Sequence, residues 1–408
     1  MTKYSMKPTI TLCMIVKNET HVILRCLESI YKYIDRYDIT DTGSTDGTQD
    51  MIRDFFAKKG IPGEIYQSDW KGFGDHAGKI GSRTEAFQNA KGKADFAWVI
   101  DADDSVEGDF RFPENPTGDA YTLQFKRGEF TWWRTQIFKN NRDWKYVGVL
   151  HEYPDSDPKP YKIEKLHGNY AIEARTEGAR NVGIDPKEKY SRDAEALEKA
   201  LQEDPTNVRY QFYLAQSYFD SQQWEKAMHA YAKRAEMGGW EEEIFFSIYR
   251  VAICKVFLQH PWPEIYDLFM KSYEARPTRA EPLYQLARLH RMHNRPRAAY
   301  QYARMALEIP RPNEDTLFVE EIPYAWGNLD ELGAVAHSVG KFHIGMQACH
   351  KLLCENKFPP EHRERIQNNF ESYKKIVAQI QQERGVQEMV EKQKQKELKK
   401  INKKKQKV

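Results

Sequence analysis

From about residue 204 to residue 310 the chain repeats itself with a period near 36, and that period limits what this half can become. Asp204-Pro205 and Arg276-Pro277 stand 72 residues apart, and the same offset separates Ala215 from Ala287 and Ala227 from Ala299. Ala252 falls between, 37 residues after Ala215 and 35 before Ala287. Tyr213–Tyr218, Tyr249–Cys254 and Tyr284–Leu289 align around these alanines. Small residues at fixed offsets, with a proline after each helix pair, mark stacked helical hairpins. Alanine sits where the two helices of a hairpin come too close for a larger side chain.

These strings resemble tetratricopeptide repeats, most clearly over Pro205–Gly238 and Pro277–Pro310, with a degenerate repeat between them. A fourth is expected over Ile322–Phe358, with Trp326, Leu329, Leu332 and Ala348 facing inward, and Glu361–Gln382 reads as a capping helix. The boundaries expected are 204–358 for the repeats, 359–385 for the cap and 386–408 for a Lys-rich tail, after a linker and first helix at 176–203.

Residues 1–175 read differently. Thr9–Val16 is rich in Ile, Val and Thr, as a buried strand is. His21–Ile34 sets Val22, Ile23, Leu27, Ile30 and Ile34 at helical spacing. A strand ending at Asp41, a helix over Thr48–Lys58, a weak strand Glu64–Gln67, a helix Lys79–Ala90 and a strand Asp95–Ile100 follow. Such alternation predicts right-handed crossovers and a mostly parallel α/β sheet, with ligands off the carboxyl ends of its strands. Beyond Asp119 a hairpin of Tyr121–Phe125 and Phe130–Phe138 is expected, then strands at Tyr146–Leu150 and Tyr161–Leu166. Trp132 and Trp133, being adjacent on a strand, should face opposite ways, one into the core and one open to stack on a sugar ring.

Composition narrows the function. Sixty-two basic and 60 acidic residues leave +2, but Glu391–Val408 alone carries nine Lys and two Glu, so residues 1–390 carry −5. An acidic body with no basic stripe argues against nucleic-acid binding, and the tail reads as solvated. No apolar run approaches the roughly 20 residues of a membrane span, and Met1–Ile10 lacks a secretory signal. Five scattered cysteines without a Cys-x-x-Cys pair fit free thiols in a reducing cytoplasm.

Three polar clusters fall at successive strand ends: Met14–Thr20, Asp41–Thr48 and Val99–Asp104. In this order and spacing they resemble family 2 glycosyltransferases of the GT-A fold, over Thr9 to about Ala174. Arg134–Phe138, Tyr146–Tyr153 and His167–Tyr170 further resemble a subgroup that fuses this domain to tetratricopeptide-like repeats, which includes bacterial peptide glycosyltransferases of the bacteriocin-modifying type. The resemblance implies a metal-dependent, inverting transferase of hexosyl type. It would move a sugar from a UDP-sugar, or a GDP-sugar, to a peptide, protein or glycan acceptor, with the repeat domain available for homo-oligomer formation. A repeat-based interaction adaptor with a degenerate transferase domain is the alternative.

By the same resemblance Asp103 holds Mn²⁺ or Mg²⁺, and Asp101 faces the ribose or the metal's waters. Two carboxylates at period-two spacing suit a hard divalent cation. Val16, Asn18, Glu19, Asp41, Ser44 and Ala102 would line the donor crevice, with Asp41 at the nucleobase. Arg83 would pair with the diphosphate, or else make a plain helix-surface ion pair. The family's acidic pair beyond the metal motif is missing, so Glu152 is the candidate catalytic base. His151 or His167 would be a third metal ligand, with His167 preferred and an ordinary hydrogen-bonded imidazole the plain alternative.

Overall fold

The computed structural model describes residues 7–76, 78–179, 183 and 185–405, with side chains to residue 396. Residues 1–6, on which the expectation of no secretory signal partly rests, and 406–408, the end of the Lys-rich tail, lie outside the described residues.

The predicted first strand is β1 (Ile10–Val16), buried at six of its seven positions. It lies between β2 (Arg36–Asp41) and β4 (Phe96–Val99), with β3 (Gly63–Gln67) beyond β2, all parallel. The crossovers carry α1 (Ile23–Ile30), α2 (Thr48–Lys59) and α3 (Ser82–Ala90). In α1, Ile23, Cys26, Leu27 and Ile30 form the buried i, i+3, i+4, i+7 stripe that drives its packing. It ends earlier than predicted, in a 3₁₀ turn at Tyr31–Tyr33. Helix α3 begins at Ser82 rather than Lys79. Gly81 is extended there and so close to Gly74 that a Cβ would lie 2.5 Å from its backbone.

The sheet is mixed, with parallel pairs in the majority, as the mostly parallel expectation has it. Its strands run β3-β2-β1-β4-β7-β6-β11-β5, where β5 is Ser105–Gly108, β6 Ala120–Arg127, β7 Phe130–Lys139 and β11 Tyr170–Glu173. The β4–β7, β6–β7 and β11–β5 pairs are antiparallel. The cause is connection length: the two residues Gly128 and Glu129 between β6 and β7 allow only a hairpin. The strand predicted at Tyr146–Leu150 is β8 (Asp143–Val147), paired in a separate ribbon with β9 (Tyr153–Asp157). It stops before Gly148, whose φ of 122° an L side chain resists. The strand predicted at Tyr161–Leu166 contracts to β10 (Ile163–Lys165), which pairs with β6. Trp132 stacks on Phe125 against the core, while Trp133 faces His167, so the two indoles do point opposite ways.

Met1–Leu268 with Asn313–Val319 form one compact unit, and Phe269–Pro312 with Glu320–Val408 a second. In the first, α4 (Pro186–Glu203), α5 (Val208–Asp220), α6 (Trp224–Glu236) and α7 (Glu241–Phe257) follow the sheet. Asp185 and Asn207 cap α4 and α5 by accepting from Lys187 N and Tyr210 N. Helix α8 (Trp262–Ala275) comes next. The second unit holds α9 (Glu281–Met292), α10 (Pro296–Leu307), α11 (Asn328–Val335), α12 (Phe342–Glu355) and α13 (Arg363–Lys405). All five repeat alanines, 215, 227, 252, 287 and 299, are 0% exposed, as close helix approach requires. Leu332 and Ala348 are buried, with Trp326 and Leu329 packed against them. The cap and the tail are one helix, α13, which is exposed from residue 381 to the last described side chain. No helix among the described residues is long and apolar enough to cross a membrane.

Candidate active site

Strands β1, β2 and β4 deliver their polar loops to one edge of the sheet, because Val16 pairs with Asp41 and both strands end at that level. The Val16 carbonyl accepts from Thr42 N at 2.9 Å and Thr42 Oγ1 at 3.1 Å, pinning the second loop to the first. Asn18, in the left-handed region at φ 57°, donates its N–H to Ser44 Oγ (2.9 Å) and accepts from Thr45 N (2.8 Å). Glu19 N donates to Thr48 Oγ1 at 2.8 Å. Asp46 closes the junction, accepting from Thr48 Oγ1 (2.6 Å), Thr48 N (3.0 Å) and Thr20 Oγ1 (2.8 Å). Val16, Asn18, Glu19, Asp41 and Ser44 are therefore brought together.

Asp41 is 1% exposed, and its two oxygens differ. Oδ1 accepts from Gly43 N and Ser44 N, both at 2.9 Å, which builds the turn. Oδ2 is buried without a hydrogen-bond partner. An orphaned carboxylate oxygen is costly unless a ligand donor meets it.

Asp101 is engaged by two guanidiniums, Arg83 Nη2 at 2.6 Å and Arg134 Nη1 at 3.2 Å. Burial alone would raise the Asp101 carboxyl, but the two arginines outweigh it and hold it well below the usual carboxylate range. Arg83 is itself buried, between the rings of Phe73 and Tyr146, each 5.6 Å from its guanidinium carbon. Its Nε lies 2.5 Å from Glu152 Oε1, a contact of charges rather than a directed hydrogen bond. Both of its carboxylate partners belong to the candidate site, and Arg83 is buried rather than on the helix surface. Ala102 is buried in the hydrophobic core.

Asp103 turns the other way. Its Oδ2 accepts from Glu177 N (3.0 Å) and Gly178 N (2.9 Å), while Glu19 Oε2 accepts from Ala179 N at 3.1 Å. Both carboxylates face Gly178, where a Cβ would sit 3.3 Å from Asp103 Oδ2 and 3.4 Å from the Glu19 oxygens. Burial pushes the Asp103 carboxyl up, and pushes Glu19 up to about 7. Arg25 steadies the returning segment by donating to Glu177 Oε2 (2.6 Å) and the Asp103 carbonyl (3.1 Å).

The two histidines sit apart from this arrangement. His167 is exposed, its ring against Trp133 at 5.1 Å, and Lys165 Nζ lies 5.2 Å from the same indole. His151 stacks on Tyr213 of α5 at 3.9 Å, and its carbonyl accepts from Arg209. Among the described residues no three His, Cys, Asp or Glu side chains are grouped to hold a metal ion, Asp101, Asp103 and His167 included.

Arg134, Tyr146 and Glu177–Ala179 are the residues sequence reasoning did not place. Arg134 stood in a motif quoted only for its resemblance, and nothing local to Glu177–Ala179 marks its return to Asp103.

Residues 11–114 match the family model described as glycosyl transferase family 2. A TPR repeat-containing protein of Synechococcus elongatus is 28% identical over 155 residues, which cover 36% of this chain and 35% of that protein. The match thus spans about a third of the length of this curated relative. Among solved structures, MamA is 15% identical over 43% of this chain and 96% of its own, with a TM-score of 0.33. BtubC from P. vanneervenii is 14% identical over 48% of this chain and 84% of its own, with a TM-score of 0.36.

Proposed function

We propose, from the match of residues 11–114 to glycosyl transferase family 2 and the likeness to a TPR repeat-containing protein, that the chain transfers a hexosyl group, with inversion, from a UDP- or GDP-sugar to a peptide, protein or glycan acceptor. The observation that carries the donor half is Asp41 Oδ2, a buried oxygen without a partner at the edge where the strand ends converge. It would accept a nucleobase N–H, while Oδ1 keeps the turn in place.

The residues best suit a divalent cation at Asp103 and Glu19, whose oxygens both face Gly178, 3.3 and 3.4 Å from where its Cβ would lie. They do not fit one at Asp101, whose oxygens already serve Arg83 and Arg134. When bound, Mn²⁺ or Mg²⁺ neutralises charge growing on the leaving diphosphate. The backbone N–H groups of Glu177, Gly178 and Ala179 meet the same two carboxylates and would have to yield to it.

In the transfer, an acceptor oxygen forms a bond to the anomeric carbon as the bond from that carbon to the diphosphate oxygen breaks. The electron pair leaves with the diphosphate, and the acceptor's proton passes to Glu152. A groove of about 440 Å³ between Val147, Tyr153 and the Asn207–Tyr210 turn adjoins the loop that carries Glu152, and offers the acceptor a polar, aromatic-edged seat. Glu152→Gln should keep nucleotide binding and lose transfer; normal transfer by that variant would remove Glu152 from the role.

The second reading is the adaptor, and the observation favouring it is that Asp103 already has backbone donors. It predicts no turnover of any nucleotide-sugar with either cation.

A further inference from the structure

Asp101 leaves the sheet after β4, Glu152 lies on the loop between β8 and β9, and α3 supplies a side chain that touches both. That side chain is Arg83. Its Nη2 is 2.6 Å from Asp101 Oδ1 and its Nε 2.5 Å from Glu152 Oε1. The guanidinium is almost wholly shielded from water, at 7% exposure. Phe73 and Tyr146 flank it, and Arg134 holds the other Asp101 oxygen at 3.2 Å.

A buried guanidinium is tolerated only with its charge matched, and here the two matching carboxylates come from opposite sides of the candidate site. The planar guanidinium gives Asp101 a directed N–H while its Nε edge lies in charge contact with Glu152; an ammonium is a point charge without that geometry. The ring contacts leave the fork little room to swing. Asp101 and Glu152 are therefore set relative to one another by a single rigid part.

We propose that Arg83 is a positioning residue that braces the donor-side Asp101 against the base-side Glu152, and that it does not bind the donor itself. This rests on the reading of Glu152 as the base. Its consequence is a particular kinetic pattern: removing the brace misplaces the proton acceptor while nucleotide binding, centred on Asp41, persists. Misplacement by a fraction of an ångström suffices for a large loss of rate.

The test uses the full chain, UDP and GDP as binding probes, and hydrolysis of whichever UDP- or GDP-sugar the wild type turns over. Arg83→Lys keeps a positive charge in the buried site and so carries the test even if Arg83→Ala does not fold. Expected for Arg83→Lys is a roughly 100-fold loss of turnover at saturating donor. Its nucleotide dissociation constant should stay within about threefold of wild type. In a folded Arg83→Ala, added methylguanidinium should restore turnover roughly tenfold, an effect a general loss of structure does not produce. Nucleotide affinity that collapses while saturated turnover stays normal would overturn the proposal and place Arg83 on the donor. Normal turnover by Arg83→Lys beside an inactive Glu152→Gln would overturn the brace alone. Normal turnover by Glu152→Gln would instead remove the base reading beneath it.

Discussion

Arg83 Nε and Glu152 Oε1 lie 2.5 Å apart, although α3 and the β8–β9 loop are far apart in the chain. The pair joins the half of the domain that carries the donor motifs to the half that carries the candidate base. The same guanidinium reaches Asp101 Oδ1 through its Nη2, at 2.6 Å.

Asp41 gives the cleanest mutational test of donor recognition. Asp41→Asn keeps a carbonyl for the Gly43 and Ser44 N–H groups but turns the orphaned Oδ2 into a donor. Nucleotide affinity should fall roughly 10- to 100-fold, the worth of a charge-assisted hydrogen bond of about 1.5–3 kcal/mol. Calorimetric titration with UDP and GDP measures it, and unchanged affinity would take Asp41 out of the nucleobase site.

Gly178 separates the roles of Asp103 and Glu19 from their loop contacts. Gly178→Val places branched carbon beside oxygens that a bare Cβ would already approach at 3.3–3.4 Å. The Mn²⁺ concentration for half-maximal donor hydrolysis should rise several-fold, with little effect on binding of metal-free nucleotide. An unchanged Mn²⁺ requirement would move the cation elsewhere.

Asp46 ties Thr20 to the start of α2, and its hydrogen bonds hold its carboxyl down at about 2 against the opposing effect of its partial burial. A depressed carboxyl contributes stability above its unfolded value and loses it as pH falls toward the folded value. Asp46→Ala should cost about 1–2 kcal/mol at neutral pH, as lost caps do. The difference from wild type should fade between about pH 4 and pH 2 in urea titrations. A difference that does not change with pH would mean the carboxylate charge is not what stabilises the junction.

Cysteine reactivity follows burial. Cys13, Cys26, Cys254 and Cys349 are buried, and burial pushes the thiols of Cys13 and Cys254 up to about 12 and Cys349 to about 11. Cys354 alone of the five is exposed. Iodoacetamide at pH 8 should label one thiol in the native protein, at Cys354, and all five in urea. Mass spectrometry showing early labelling of Cys254 or Cys349 would contradict the packing of the helical hairpins.

What was legible in the sequence was local. Gly43 and Gly47, at φ 101° and 93°, and the Asp41 turn between them and β2 declare themselves by spacing. The repeat alanines do so by period, because helix packing recurs identically in each hairpin. The strands beyond β4 were less legible, since those of three to five residues such as β5, β8, β10 and β11 carry too few positions to show a pattern. The site's ionic contacts were not legible at all. Arg83, Arg134, Asp101 and Glu152 meet only once the β6–β7 hairpin and the β8–β9 ribbon are in place, and a lone arginine in a helix looks the same whether it faces water or two carboxylates. In the sequence the long α13 reads as a cap plus a tail, because lysine and glutamine are compatible with both helix and solvated coil.

The central claim is cation-dependent chemistry on a nucleotide-sugar, and hydrolysis of a UDP- and GDP-sugar panel tests it most directly, with and without Mn²⁺, on wild type and Asp103→Ala. The account predicts release of UDP or GDP from at least one donor by wild type with Mn²⁺, abolished by chelation and reduced at least about 100-fold in Asp103→Ala. No turnover of any donor, or equal turnover by the two proteins without cation, would contradict it.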